Sequence, residues 1–224
     1  QDFTRPWDPI KDYRMMKRNT NSFMSLQKTL KPTIALVHGV AVAGGSDIAL
    51  CADLVLVTKD ARLGYMPARV WGIPTTIQWV SRVGFEKAKG LLFTGDIISG
   101  TEAARIGLVY ESCDTYIALE KRVDDLVDRI SAVPANQLAM VKLLIQQQQE
   151  RAGLNEAQTL ATLFDGIARH SPEGVAFKRR AEQFGFRQAV RERDTGSVDW
   201  TALANFEGGL SSNPSTTITP PSRL

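Results

Sequence analysis

The sequence predicts an α/β fold in which short buried strands alternate with helices, followed by a wholly helical region. Two apolar runs, 33–37 and 54–58, lack the polar alternation of a half-exposed strand and are typical of strands buried on both faces. Between them a glycine-rich turn, 39–45, leads directly into a helix-like run. After Asp114 apolar residues recur only at helical spacing, which indicates that the strands end there.

Local signals place the individual elements in order along the chain. The first helix ends before Pro32, because the residue preceding a proline avoids the α region. Thr75 and Thr76 are expected to cap the helix that follows a proline-containing loop, and Thr101 is expected to cap the next one. The elements expected up to residue 110 are a helix over 10–30, strands over 33–37, 54–58 and 61–64, a loop over 65–75, helices over 46–52, 76–83 and 85–92, and then a turn, a strand, a helix and a strand within 94–110.

Three amphipathic stripes follow Asp114 and predict three helices, and Ser171 opens a fourth, basic helix. From about Thr201 the composition shifts to glycine, serine, threonine and proline, which predicts a disordered tail. The chain thus divides into a core over 1–114, a helical region over 115–200 and a tail over 201–224. The stripes consist of Ile117, Leu119, Val123, Leu126, Val127 and Ile130; of Leu138, Val141, Leu144 and Ile145; and of Leu154, Ala157, Leu160, Leu163, Phe164 and Ile167.

The composition is that of an ordinary globular protein. Of 224 residues, 43% are apolar and 23% are charged. The net charge of +3 is too small to indicate a nucleic-acid partner, and the longest apolar runs are too short to predict a membrane span or partner membrane. Two cysteines make neither a disulfide framework nor a metal site, so a cytoplasmic location is expected, with Cys51 as a buried thiol.

Three kinds of chemistry fit the glycine turn that opens the second helix. Gly39 to Ser46 matches a phosphate-binding P-loop except that Gly45 stands in place of the lysine, which removes most of the case for a nucleotide. Ser46 at a helix start suits a nucleophile, but its general base would have to be His38 or His170. The third possibility is a site for developing negative charge on oxygen, because helix-opening N–H groups lack partners.

The stretch from Lys31 to Asp53 resembles the core motif of the enoyl-CoA hydratase/isomerase (crotonase) family. The similarity continues in order through 61–74, 84–109 and 171–177, and it covers roughly 1–185. The resemblance implies a ββα spiral core, a C-terminal helical trimerisation region, and a homotrimer or dimer of trimers. It also implies an acyl-CoA substrate, with coenzyme A entering as part of that substrate and with no separate cofactor or metal.

The resemblance assigns Gly44 to one of the two N–H groups that hold the thioester oxygen while an enolate forms. Gln1 and Asp2 resemble the end of the motif that supplies the other N–H group. The N-terminal part of the core is therefore expected to be missing from this sequence.

The family's hydratases use two glutamates, and this sequence departs from both. Asp47 occupies the first position and is shorter than glutamate by one methylene, about 1.5 Å of reach. It is either a proton-transferring carboxyl or an acidic residue that stabilises the first turn of a helix. Ala68 occupies the second position and cannot transfer a proton, which predicts a non-standard acid pair.

The remaining candidates are implied as contacts of the substrate. Tyr65, Met66, Trp71 and Trp79 line either an acyl pocket or the protein interior. Arg69 makes either a salt bridge or a ligand contact, and Thr75 lies where other branches of the family place an extra polar group. Lys178, in the final basic helix, meets either coenzyme A phosphates or solvent.

The function predicted from the resemblance is enolate chemistry on an acyl-CoA thioester by a hydratase/isomerase-type lyase or isomerase. An acyl-CoA-binding scaffold without catalysis is the alternative, and a serine hydrolase of related fold is a further one.

Overall fold

The computed structural model describes residues 6–205, in which six strands and ten α-helices alternate as the pattern predicts. The strands are β1 Ile34–Val37, β2 Val40–Val42, β3 Leu54–Thr58, β4 Arg62–Gly64, β5 Ile97–Ser99 and β6 Glu111–Cys113. The helices are α1 Pro9–Lys28, α2 Gly44–Leu50, α3 Gln78–Thr94, α4 Gly100–Arg105, α5 Tyr116–Ser131, α6 Ala135–Arg151, α7 Leu154–His170, α8 Pro172–Phe184, α9 Phe186–Thr195 and α10 Trp200–Ala204, with a 3₁₀ turn at Met66–Arg69. The predicted α/β class is confirmed.

Each of the first two turns of the chain contributes one strand to each of two sheets before a helix closes the turn, and β5 and β6, on either side of α4, add the third strand to each sheet. The first sheet has the order β1-β3-β6 with all neighbours parallel. The second has the order β2-β4-β5, in which β2 and β4 are parallel and β5 is antiparallel. Thus β1, β2 and α2 form one ββα unit, and β3, β4 and α3 form the next.

The main core lies between the two sheets and the helices α2, α3 and α4. Val55 and Val57 on β3 are fully buried, as expected of a strand that reads as an unbroken apolar run, and Leu63 on β4 is fully buried as well. The other such run, β1, was expected to be buried on both faces, but it is half-buried except at Val37, because β1 lies at the edge of its sheet in the described residues. Trp79 at the start of α3 belongs to the same cluster and is 1% exposed. Of its two predicted alternatives, Trp79 therefore takes the interior one.

The strand β2 was not expected, because a three-residue run of Val40, Ala41 and Val42 inside a glycine turn has no length from which to read a period. Three predicted caps also differ from the structure. Ser99, not Thr101, accepts the N–H of Glu102 and caps α4. Thr75 and Thr76 do not cap α3, which begins after Ile77 in a left-handed conformation with φ 55°.

The helix α7 buries a polar face, whereas its predicted apolar stripe faces outward. Gln158, Thr162, Asp165 and Arg169 are buried, and α7 packs along α1 through this face. The large stripe residues that are exposed are Leu160, Leu163, Phe164 and Ile167. Amphipathic spacing thus locates the helix correctly but does not identify the face it buries.

The predicted tail overlaps α10, since Thr201 to Ala204 are helical, and the remainder of that tail lies outside the described residues. The same holds for Gln1 and Asp2. In the part of the chain that the structure covers, no helix is both long and apolar enough to span a membrane.

Candidate active site

The turn before α2 is held in place by bonds to β4. The N–H of Ala43 donates to the carbonyl oxygen of Gly64 over 3.0 Å, and Ala43 itself has φ 53°. The hydroxyl of Ser46 lies 2.7 Å from the carbonyl oxygen of Ala43 and 3.1 Å from that of Gly64. Gly44 is therefore the first residue of α2, and its N–H has no partner one turn back within the helix.

Ser46 is not arranged as a nucleophile. It is fully buried, and its hydroxyl donates to the backbone. His38 is exposed at the end of β1, where its ring packs against the edge of Tyr116 with 4.9 Å between centroids. The other histidine, His170, directs Nδ1 to the carbonyl oxygen of Gly166 on α7. These contacts provide no serine–histidine pair, and the serine hydrolase is not favoured.

Asp47 is a buried carboxyl with an unusual pKa. Its side chain lies on α2, three residues after Gly44, and is 2% exposed. The hydroxyl of Thr76 donates to Oδ1 over 2.8 Å, and the backbone N–H of Thr75 is a second donor. Desolvation raises the pKa of Asp47 from 3.8 to about 7, against the lowering effect of these two hydrogen bonds.

The two neighbouring acids, the thiol of Cys51 and the phenol of Tyr65, stay neutral near pH 7. Burial, followed by the charge of Asp47, raises the pKa of the Cys51 thiol to about 12. The same two causes raise the pKa of Tyr65 above its ordinary value. Asp47 is therefore the acid of this cluster that changes protonation near neutral pH, as a general acid or base requires.

Thr76 was expected only as a cap, but it is a direct partner of the candidate carboxyl. Both threonines are buried, and the Thr75 hydroxyl receives a hydrogen bond of 2.8 Å from Thr20 on α1. Sequence reasoning had no signal for this role, because the contact joins residues 29 positions apart through the loop. Thr75 itself is a predicted site residue that lies next to Asp47 through its backbone.

Three more of the predicted contacts, Tyr65, Met66 and Ala68, lie at the start of the loop before α3. Met66 and Ala68 lie in the 3₁₀ turn and are half-buried, and Ala68 packs against the same core cluster as Ala43. The hydroxyl of Tyr65 donates to the carbonyl oxygen of Ile73 over 2.8 Å, so the phenol is bonded within the loop. Only a methyl group stands at 68, where the resemblance places the second glutamate.

The other three predicted contacts lie toward the C-terminal helices. Arg69 donates to the carbonyl oxygens of Thr94, over 2.6 Å, and of Asp194. The ring of Trp71 packs against Phe177 on α8, with centroids 5.3 Å apart. Lys178 pairs with Glu182 over 3.1 Å. Arg69 thus ties the loop to α3 and α9, and it also forms an ion pair with Asp96 over 3.3 Å.

Within residues 6–205, no group of three or more His, Cys, Asp or Glu side chains is placed to hold a metal ion.

The structure thus combines two sheets built by ββα turns with a helix that a glycine opens and that carries a buried carboxyl in its first turn. The profile of the enoyl-CoA hydratase/isomerase family matches residues 4–186, and the chain belongs to this family.

The names of individual relatives agree with the family assignment. A provisionally named enoyl-CoA hydratase of Thermus thermophilus is 33% identical over 161 residues, which are 69% of this chain and 63% of that protein. The Δ(3,5)-Δ(2,4)-dienoyl-CoA isomerase of Dictyostelium discoideum is 33% identical over 112 residues, 47% of this chain and 38% of that one.

A crystal structure of an enoyl-CoA hydratase from Mycobacterium smegmatis shares 49% identity with a TM-score of 0.82, over 86% of this chain and 66% of that one. The chain therefore spans somewhat under two thirds of the length of the Thermus and Mycobacterium proteins.

Proposed function

We propose that the protein is a hydratase/isomerase-type enzyme acting on acyl-CoA thioesters, in which the N–H of Gly44 stabilises an enolate oxygen and Asp47 moves a proton. The observation that carries the proposal is the carboxyl of Asp47, which is buried, held by Thr75 and Thr76, and has a pKa near neutrality. The names of the hydratase and isomerase relatives support the same substrate class.

The chemistry follows from charge development. When a proton leaves the α-carbon of a thioester, negative charge moves onto the carbonyl oxygen, and a preorganised N–H donor stabilises that charge more than it stabilises the ground state. A carboxyl with a pKa of about 7 both accepts and returns a proton efficiently at neutral pH. Gly44 and Asp47 together therefore supply the two functions that such an enolate reaction needs.

Ala68 limits the chemistry to one protein carboxyl. A single carboxyl suffices for isomerisation of a double bond, since the same group takes a proton from one carbon and returns it to another. Hydration with one carboxyl requires water or the substrate to complete the second proton transfer. The proposed substrate contacts are Tyr65, Met66, Ala68, Arg69, Trp71 and Thr75 around the acyl group and Lys178 toward the coenzyme A phosphates.

The test is turnover and binding with the Asp47→Asn variant. We expect crotonyl-CoA hydration, or isomerisation of a 3-enoyl-CoA, to fall by about 10²–10⁴-fold, because general acid–base catalysis contributes on that order. The Kd for acetoacetyl-CoA is expected to stay close to that of the unchanged protein. The exposed Asp60→Asn substitution is the matched control.

Unchanged turnover in Asp47→Asn would refute the role of Asp47. Tight binding of acetoacetyl-CoA with no turnover of any acyl-CoA in a panel would instead support the scaffold alternative.

We also propose a homotrimer or a dimer of trimers, with the outward apolar stripe of α7 at a subunit interface. Burial of a contiguous apolar surface is the main favourable term in association. The exposed stripe of Leu160, Leu163, Phe164 and Ile167 is such a surface, and it supports this proposal.

A further inference from the structure

Buried side chains hold both backbone polar groups of Ile73, its N–H and its carbonyl oxygen. Oδ1 of Asp165 on α7 accepts the N–H of Ile73 over 3.0 Å. The hydroxyl of Tyr65 donates to the Ile73 carbonyl oxygen over 2.8 Å. Gly72 permits this approach, since a Cβ at that position would lie 3.0 Å from Pro67 Cβ and 3.4 Å from Asp165 Oδ1.

Asp165 belongs to a buried ion cluster that joins α7 to α1. Arg169 donates to both carboxylate oxygens of Asp12, over 2.9 and 3.0 Å, and its other terminal nitrogen bonds to Asp165. All three side chains are at most 10% exposed. Apolar replacements for buried ion pairs are often neutral or stabilising, so stability alone does not account for this cluster.

The segment that starts at Ile73 continues to two residues, Thr75 and Thr76, that are hydrogen-bonded to Asp47. Two residues after Ile73, the Thr75 N–H donates to Asp47, and its hydroxyl is bonded to Thr20 on α1. The next residue, Thr76, donates its hydroxyl to Asp47. Side chains of α7 thus hold this segment at two points, Asp165 at the N–H of Ile73 and Gln158 at the carbonyl oxygen of Thr76, over 3.0 Å each.

We propose that Asp165 and Arg169 are positioning residues, which hold the segment 73–76 so that Thr75 and Thr76 remain hydrogen-bonded to Asp47. Arg169 acts by orienting Asp165 and by balancing its charge. Tyr65 performs the same task from the opposite side of Ile73. The inference rests on the proposed function only in giving Asp47 a catalytic task, because the geometric coupling itself requires no substrate.

The test is a direct titration of Asp47 by NMR in the full chain labelled with ¹³C at the aspartate carboxyl, without substrate. The Asp47 signal is assigned by its loss in Asp47→Asn. We compare Asp165→Leu, which leaves the Asp12–Arg169 pair balanced, with Tyr65→Phe, which removes the other bond to Ile73 without changing charge.

Positioning predicts that the Asp47 pKa rises in both variants, by on the order of 1 unit, because hydrogen bonds that favour the ionised carboxylate are lost. If Asp165 acts on Asp47 only through its negative charge, the pKa of Asp47 falls in Asp165→Leu and does not change in Tyr65→Phe. The nearby groups Cys51 and Tyr65 stay neutral through this titration. The other nearby group is the Arg82 guanidinium beside Cys51, whose pKa is lowered by burial.

Lys142→Met is the matched control, because it breaks a buried ion pair of 2.6 Å with Asp53 and is expected to leave the Asp47 pKa unchanged. An upward change confined to the two loop variants supports the proposal, and Tyr65→Phe decides if Asp165→Leu does not fold. An unchanged or lowered Asp47 pKa in Tyr65→Phe overturns it. Since no turnover is measured, failure of the proposed function would leave this result intact.

Discussion

At the scale of single residues, the candidate site depends on the desolvation of Asp47. A carboxyl in the first turn of a helix normally gains from the helix dipole and ionises readily. Here burial outweighs both the two hydrogen bonds and this position in the helix, and it raises the pKa to about 7. Between about pH 4 and pH 7, Asp47 is therefore mostly neutral in the folded protein and mostly ionised in the unfolded chain.

This difference predicts a pH-dependent effect of Asp47→Asn on stability. Below about pH 4 Asp47 is protonated in both states, and above about pH 7 it is ionised in both, so between these values the unchanged protein loses stability as pH rises. Asparagine stays neutral throughout. Relative to the unchanged protein, the free energy of unfolding of Asp47→Asn is expected to increase from pH 4 to pH 8 by on the order of 4 kcal/mol.

Urea denaturation at the two pH values measures the change, and exposed Asp60→Asn is the control. A difference between Asp47→Asn and the unchanged protein that is the same at pH 4 and pH 8 would contradict the raised pKa.

The second residue-scale prediction concerns Ala68. If one missing carboxyl limits hydration, Ala68→Glu is expected to increase crotonyl-CoA hydration by at least about 10-fold, since a positioned acid–base group typically contributes more than that. Ala68→Gln is the matched control, because it has nearly the same size and cannot transfer a proton. Equal rates in the two variants would show that the loop does not direct this side chain at the substrate.

At the scale of elements, the helix α3 is interrupted at Gly84. Gly84 has φ 76° and ψ 173°, a conformation that residues with a Cβ rarely adopt, so α3 is divided there into the two helical segments that the sequence predicts. Gly84→Ala is expected to lower the free energy of unfolding by about 1–3 kcal/mol.

Gly90 in the same helix is the matched control, since it has ordinary helical backbone and open space at its Cβ. Gly90→Ala is expected to raise stability by about 0.5–1 kcal/mol. Chemical denaturation of both variants measures the contrast, and equal effects would show that the kink imposes no strain on alanine.

The helix α7 shows why periodicity alone misleads about burial. Its apolar stripe satisfies every sequence criterion for a core-facing surface, yet its polar face packs on α1. A polar face is stable inside the protein only because Arg169, Asp165 and Asp12 satisfy one another and the Ile73 N–H. No local signal indicates such a cluster, because its members come from α1, α7 and the loop before α3.

At the scale of the whole molecule, the outward stripe of α7 predicts association. Phe164→Glu places a charge in the middle of the stripe and is expected to reduce the sedimentation mass from that of a trimer to that of a monomer, because an unpaired charge opposes burial. Phe85→Glu on α3 makes the same substitution at a more exposed phenylalanine away from the stripe and is expected to leave the mass unchanged. An unaltered mass in Phe164→Glu would exclude α7 as the interface.

By itself the sequence determined the α/β class, the strands β1 and β3, the burial of β3, the glycine turn before α2 and the membership of Gly44 and Asp47 in one short segment, because these features are local in the chain. It did not determine β2, the partners of Asp47 or the buried face of α7. Only the tertiary structure decided those, since each depends on contacts between distant segments: Thr76 reaches Asp47 across the loop, and Asp165 reaches Ile73 from a helix more than ninety residues away.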